Sequence, residues 1–475
     1  MASVNRKEAR MTEVTHGGAR VIGPPDAFSR LTRSVMSCML WEGEFYEDGQ
    51  SIADRIQALV AEVDPEQVAA IAVEARTNMN LRHVPLLLAV TCARLKSHRK
   101  VVRSLLPQII QRADELAEFL AIYWKDGGGD RRKSKHKLAK GVQRGLADAF
   151  GRFREYDLAK YNQDGAIKLT DVLFLSHAKP LGEQAALWKK LIDGNLTVPD
   201  TWEVSISATK GAGKKEEWTR LLREKKLGSL ALIRNLRNME QAGVDHQLIR
   251  EAIRGMKVER VLPFRYVAAA RVAPRFEAEL SDAMLRSVAD LPKLPGHTIL
   301  IVDVSGSMYS GQISIKSDLN RAYAAAALAA LAREVCGSVD LYATAGSDSR
   351  QKHQTQLVPA RRGLPLVDAI YALYRPLGGG GIFLKQCMDY VWEDRKRQPA
   401  DRVIVITDGQ DTDRSHKGTS NITQIAPRQY IINVASSKTG IGYGAWLNID
   451  GWSERVLDYI RVYERLDIEG AQGGK

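Results

Sequence analysis

The chain has 475 residues with 69 Lys and Arg against 56 Asp and Glu, a formal net charge of +13 and a pI near 9.4. That length allows two or three domains, each with a full core, and the absence of any run of about 18 apolar residues excludes a helix that crosses a membrane. The four cysteines, Cys38, Cys92, Cys336 and Cys387, lie far apart in apolar or helical contexts without a C-x-x-C pair, as buried thiols of a reducing compartment do. The charge is uneven: residues 1–295 hold 48 basic and 37 acidic side chains, residues 296–475 hold 21 and 19. A polyanionic partner is therefore expected to meet the N-terminal part.

In chain order, residues 1–24 are polar and Gly-rich, without the apolar core of a leader, and are read as an N-terminal arm of a soluble, cytoplasmic protein. From about residue 25 to 290 the apolar periodicity is helical. Ile52, Ile56, Leu59, Val60 and Val63 share a face, as do Leu116, Phe119, Leu120 and Tyr123. Pro65, Pro85, Pro107, Pro180 and Pro199 punctuate the series. Many short helices over so long a stretch predict an α-solenoid of the HEAT type.

Within it, Arg131 to Arg144 is strongly basic. Read as one helix, Lys133, Lys137, Lys140 and Arg144 form a stripe, with Leu138, Val142, Ala149 and Phe150 roughly opposite. Such a helix can bury one side and offer cations to a phosphate backbone; a solvated Lys-rich face is the ordinary alternative. Ala208 to Lys215, ATKGAGKK, has the look of a phosphate loop, but Ala208 stands where Gly is required and Lys215 where Ser or Thr is. It is a basic, Gly-hinged loop.

The pattern changes after Leu291-Pro292-Lys293-Leu294-Pro295, read as a linker over residues 291–297. Thr298 to Asp303 is a continuous β-branched and aliphatic run that breaks into Ser-Gly-Ser, so a buried parallel strand delivers Asp303, Ser305 and Ser307 to its carboxyl end. One carboxylate and two hydroxyls suit a small hard cation such as Mg²⁺; a plain strand-to-helix turn with Ser as N-cap remains the other reading. An Ala-rich helix at Ala322–Val335, a strand near Ser338–Thr344 and a second apolar strand ending in Thr407-Asp408-Gly409 complete a β-α-β alternation. Asp408 thus reaches the same kind of edge. No nucleophile elbow and no His spacing fit for a metal appear, so a binding protein is expected and an enzyme is not.

These last residues resemble a von Willebrand factor A domain with its metal-ion-dependent adhesion site. The resemblance implies that Asp303, Ser305, Ser307 and Asp408 hold a divalent metal, expected to be Mg²⁺. The family's further Thr ligand falls at Gly380, in Pro376 to Gly381, which removes one oxygen and weakens the site or hands the position to water.

With LRHVPLLLAV at Leu81–Val90, LSHAKP at Leu175–Pro180 and LIRNLRNM at Leu232–Met239, nearly all of residues 18–465 resembles a bacterial member of the Ro autoantigen family. That family joins a TROVE helical ring to a von Willebrand A domain. The resemblance implies a TROVE ring at 25–290 closed by a doubly wound A domain at 298–475, a monomer with its hinge at the linker. It also implies that the ring binds small structured noncoding RNA, the Y RNAs, on its outside. Single-stranded 3′ ends of misfolded RNAs enter its hole, and an exoribonuclease works with it in RNA maturation or decay. For the RNA contacts the candidates are Lys133, Lys137, Lys140 and Arg144 outside, and more weakly His177, Arg234 and Arg237. His177 is weaker because a lone His is more often packed in a core, while Asn235 and Arg237 could equally cap or pair within the ring. The family His expected near Leu169 is absent. A reading of another class is a metal-dependent protein-binding scaffold, in which a partner's acid completes the cation's shell.

Overall fold

A computed structural model describes residues 27–36, 49–125, 138–162, 165–197, 201–209, 211, 213–259, 261–312, 319–413, 422–435 and 446–450, with 456, 457, 460, 461 and 464. By contact the chain forms two compact units, one running to Ala208 and one from Thr209 onward.

The first unit is helical. Its successive helices include Gly49–Val60, Pro65–Thr77, His83–Arg94, Val102–Ile109, Asp114–Lys125, Lys140–Phe150, Leu169–Ser176 and Gln184–Ile192. Local signals set their ends. Asp64 caps one helix by accepting from the Glu66 N–H at 2.9 Å, and Pro65 fills the first helical position, where its missing N–H costs nothing. Most helices pack on the next but one as well as on the next: Pro65–Thr77 meets Val102–Ile109, His83–Arg94 meets Asp114–Lys125, and Val102–Ile109 meets Lys140–Phe150. This is the two-layer stacking of helical repeats. At the last of these contacts Gly145 is needed, because a Cβ there would lie 2.9 Å from Leu106 Cδ1 and 3.1 Å from the Arg103 carbonyl oxygen.

Not every buried group is apolar. Arg76 donates to Glu115 Oε1 at 2.7 Å and to the Ile109 carbonyl at 3.0 Å, while Glu115 Oε2 accepts from the N–H groups of Gln111 and Arg112 at 2.8 and 3.1 Å. Glu115 is fully buried, so this network ties Pro65–Thr77 to the loop that starts Asp114–Lys125. Of the basic stripe, the structure describes only Lys140 and Arg144. Ala139 is extended, with ψ 143°, and caps a helix that begins at Lys140 and carries Arg144. Lys133 and Lys137, like residues 1–24 and Cys38, lie outside the described residues.

The second unit opens with helices from Gly213–Arg223 to Glu277–Ala289 and continues into a six-stranded sheet. Its strands are β1 (Leu294–Asp303), β2 (Cys336–Ser347), β3 (Lys352–Leu357), β4 (Arg402–Thr407), β5 (Arg428–Asn433) and β6 (Leu447–Asp450), in the order β3-β2-β1-β4-β5-β6. Only β3 is antiparallel, at an edge, and it alternates between exposed and half-buried positions as an edge strand should. β4 is buried along its whole length and β1 over its last six residues, which is why both read as unbroken apolar runs. β1 begins at Leu294, inside the segment expected to be linker, with an irregular register between Leu294 and His297. Helix Arg321–Val335 covers one face of β1, and its run of alanines lets it lie close. On another face Ile299, Ile301, Val403, Val405 and Ile431 pack with Leu384, Cys387, Met388 and Val391. Cys92, Cys336 and Cys387 are free and buried, as expected.

Removing one partner of the Arg76–Glu115 pair leaves a buried charge alone. Glu115→Ala is expected to lower stability by about 3–5 kcal/mol in chemical unfolding. Glu62→Ala, at the exposed Arg30–Glu62 pair, should cost less than about 1 kcal/mol.

Candidate functional site

The strand order reverses between β1 and β4, and in an open α/β sheet the crevice outside the strand ends at that point is where a site is built. Both acids found in the sequence arrive there. Asp303 ends β1 and Asp408 directly follows β4, and both are fully buried together with Ser305. The turn after β1 is held from several sides. Asp303 Oδ1 accepts from the Ser305 N–H at 2.8 Å and Oδ2 from the Thr407 hydroxyl at 2.6 Å. The Ser305 and Ser307 hydroxyls are 3.2 Å apart, and the Ser307 hydroxyl also bonds the Asp408 carboxylate.

Two buried carboxylates so placed are costly unless something offsets their charge. Burial pushes the Asp303 carboxyl up to about 7, and the neighbouring Asp408 adds to the shift. Burial raises Asp408 as well, against the pull of Ser307 and Arg321. Arg321 Nη1 lies 3.4 Å from Asp408 Oδ2, the one ion pair Asp408 makes among the described residues. Arg321 was not singled out in the sequence. A basic residue at the start of an Ala-rich helix reads as surface, yet its side chain is only 2% exposed.

The Gly-rich loop closes over the turn. The Gly306 N–H donates to the Gly380 carbonyl at 3.0 Å and the Gly380 N–H to the Gly346 carbonyl at 3.0 Å. A Cβ at Gly380 would stand 2.6 Å from the Gly346 oxygen, so the position expected to carry Thr has no room for a side chain. A Cβ at Gly381 would meet the Thr412 hydroxyl at 2.2 Å. As a cation shell the set offers oxygens from Asp303, Ser305, Ser307 and Asp408, with Asp408 already paired to Arg321 and no oxygen side chain from Gly380. Four half-buried tyrosines flank the loop: Tyr309 stacks on Tyr374 at 4.0 Å, Tyr371 lies beside Tyr309 and Tyr323, and Arg271 covers the Tyr323 ring at 4.8 Å. Separated by up to 65 positions along the chain, the four tyrosines have no sequence signature.

Comparison with known proteins places the molecule. The TROVE domain model matches residues 28–193 and 193–373. The chain belongs to the TROVE domain family. The crystal structure of the Deinococcus radiodurans RO (RSR) protein superposes with a TM-score of 0.61 over 90% of this chain and 97% of that one, at 19% identity, and so shares its fold. No curated protein matches the chain. The TROVE match takes in the helical unit and runs on through β1 to β3, so Asp303, Ser305 and Ser307 fall inside it and Asp408 beyond it.

The other site candidates of this TROVE chain are divided between the two units. Lys140 and Arg144 are exposed on one helix of the first unit, one turn apart. Val142, Ala149 and Phe150 bury the opposite face as the periodicity indicates. His177, suspected of core packing, is exposed in a left-handed conformation with φ 50°, ending helix Leu169–Ser176. Arg234 and Arg237 are exposed, and it is Asn235 that turns inward, donating to the Ala231 carbonyl at 2.8 Å. A cavity of about 850 Å³ in the helical unit went unforeseen. Arg112 lies 4.5 Å over the Tyr161 ring at its wall, and Arg82 pairs there with Asp114 at 2.5 Å.

Gly380→Thr is expected to destabilise the sheet unit, by about 1–3 kcal/mol as an overpacked position does. A melting curve that stayed unchanged or rose would mean that the loop opens to accept the side chain.

Proposed function

We propose that this protein binds RNA and acts through binding rather than catalysis. In this reading it holds a small structured noncoding RNA of the Y type on the outer face of its helical repeats and accepts single-stranded 3′ ends of structured or misfolded RNAs. Such a protein serves RNA quality control, maturation or decay alongside an exoribonuclease. The observation that carries the reading is the TROVE match across residues 28–373, and the charge distribution agrees with it. Cations that are exposed and not spent in ion pairs are what a phosphate backbone needs, and Lys140, Arg144, Arg234 and Arg237 meet that condition among the described residues. Phosphate contacts of this kind supply affinity without reading sequence, and shape selects the RNA. The A-type sheet unit belongs to the same reading as the family's second module. No described helix is long and apolar enough to cross a membrane.

The test is binding of a labelled RNA with a stem and a single-stranded 3′ tail across a salt series. Lys140→Ala with Arg144→Ala should weaken binding and make the log–log salt slope shallower by roughly one for each phosphate that the side chains no longer neutralise. Adding Lys133→Ala and Lys137→Ala should deepen the loss. Arg234→Ala with Arg237→Ala should act on tailed RNA more than on blunt RNA. Absence of any salt-dependent binding by the native chain would overturn the reading.

A further inference from the structure

The charge balance at the ends of β1 and β4 points to a role for Arg321 that its place in the sequence conceals. Arginine keeps its proton under all ordinary conditions, so a buried guanidinium is a permanent charge that must be held by an acid. Here the acid is Asp408, at 3.4 Å. The surrounding backbone is shaped to admit the group. Gly311 follows the short helix after the D-x-S-x-S turn, its carbonyl accepts from the Arg321 N–H at 2.9 Å, and a Cβ at Gly311 would lie 2.6 Å from Arg321 Cζ. Any other residue at position 311 would push the guanidinium out of its seat.

We propose that the Arg321 guanidinium is the resident cation of this site, holding Asp408 in the place where a divalent metal would otherwise be required. Four observations converge on it. Asp408 is already paired. Ser307 turns its hydroxyl to the same carboxylate and to Ser305. Each Asp303 oxygen accepts a bond from within the fold. Gly380 is closed to the threonine that would add an oxygen. A divalent ion entering this set would be drawn to carboxylates beside a buried positive charge, and repulsion at short range in a water-poor interior is strong. The consequence is chemical. A site whose cation is a buried side chain keeps its turn ordered without metal, and it has no open coordination position to offer a partner's carboxylate.

The experiment uses the full chain. After dialysis against Mg²⁺ or Mn²⁺, metal analysis should return substoichiometric metal, and neither ion nor EDTA should move the melting temperature, since a ligand held by the native state alone must raise it. Arg321→Met should lower the melting temperature, and most of that loss should vanish when the same change is made in Asp408→Asn, because the pair is then no longer left half-made. Stoichiometric metal in the native protein, or a fall in melting temperature with EDTA, would overturn the proposal. So would an Arg321→Met loss that Asp408→Asn leaves undiminished, which would assign Arg321 to other partners. If the variants do not fold, the metal response of the native chain decides alone.

Discussion

Two central strands of a parallel sheet each end on a carboxylate inside the protein, and the second unit is arranged around meeting the demands of that pair. A buried charge without partners is too costly to keep, so donors have to be brought from several parts of the chain. Ser305 supplies its N–H from the turn after β1 and Thr407 its hydroxyl from the end of β4 to one acid, while Ser307 and Arg321 serve the other. The loops that deliver these groups then have little freedom left. Gly306, Gly311 and Gly380 stand where backbone or a guanidinium comes too close for any Cβ.

The same solution recurs at other points. Arg402 is buried on β4 and meets Glu464 at 2.7 Å, with Thr298 and Tyr430 completing the network, so a distant acid near the end of the chain is tied to the middle of the sheet. In the helical unit Arg76 and Glu115 do likewise between consecutive repeats. Buried ion pairs add little net stability compared with apolar packing, yet breaking one is expensive, so they penalise wrong registers. The cations proposed to meet RNA have the opposite character. Lys140, Arg144, Arg234 and Arg237 are exposed and leave their charge to the solvent side, where a polyanion can use it.

Much of this was legible in the residues. β1 and β4 are unbroken runs of β-branched and aliphatic side chains because both faces of those strands are covered, and such runs point to a parallel sheet before any contact is known. Asp303, Ser305, Ser307 and Asp408 stood out because polar groups at the end of such a run have no packing reason to be there. The helical repeats were legible from apolar faces that reappear as buried rows, among them Ile56, Leu59, Val60 and Val63. The spacing of Lys140 and Arg144 does not say where their helix starts; the extended Ala139 sets that.

The sequence by itself determined the class of fold and the strand ends where acids would gather, since these follow from local periodicity and composition. Only the tertiary structure decided which groups answer those acids. Arg321 and Asp408 are 87 residues apart, and Thr407 and Asp303 104 apart. The value of an arginine, whether solvated surface charge or buried counter-ion, depends on what surrounds it in space, and neighbours in sequence do not carry that information.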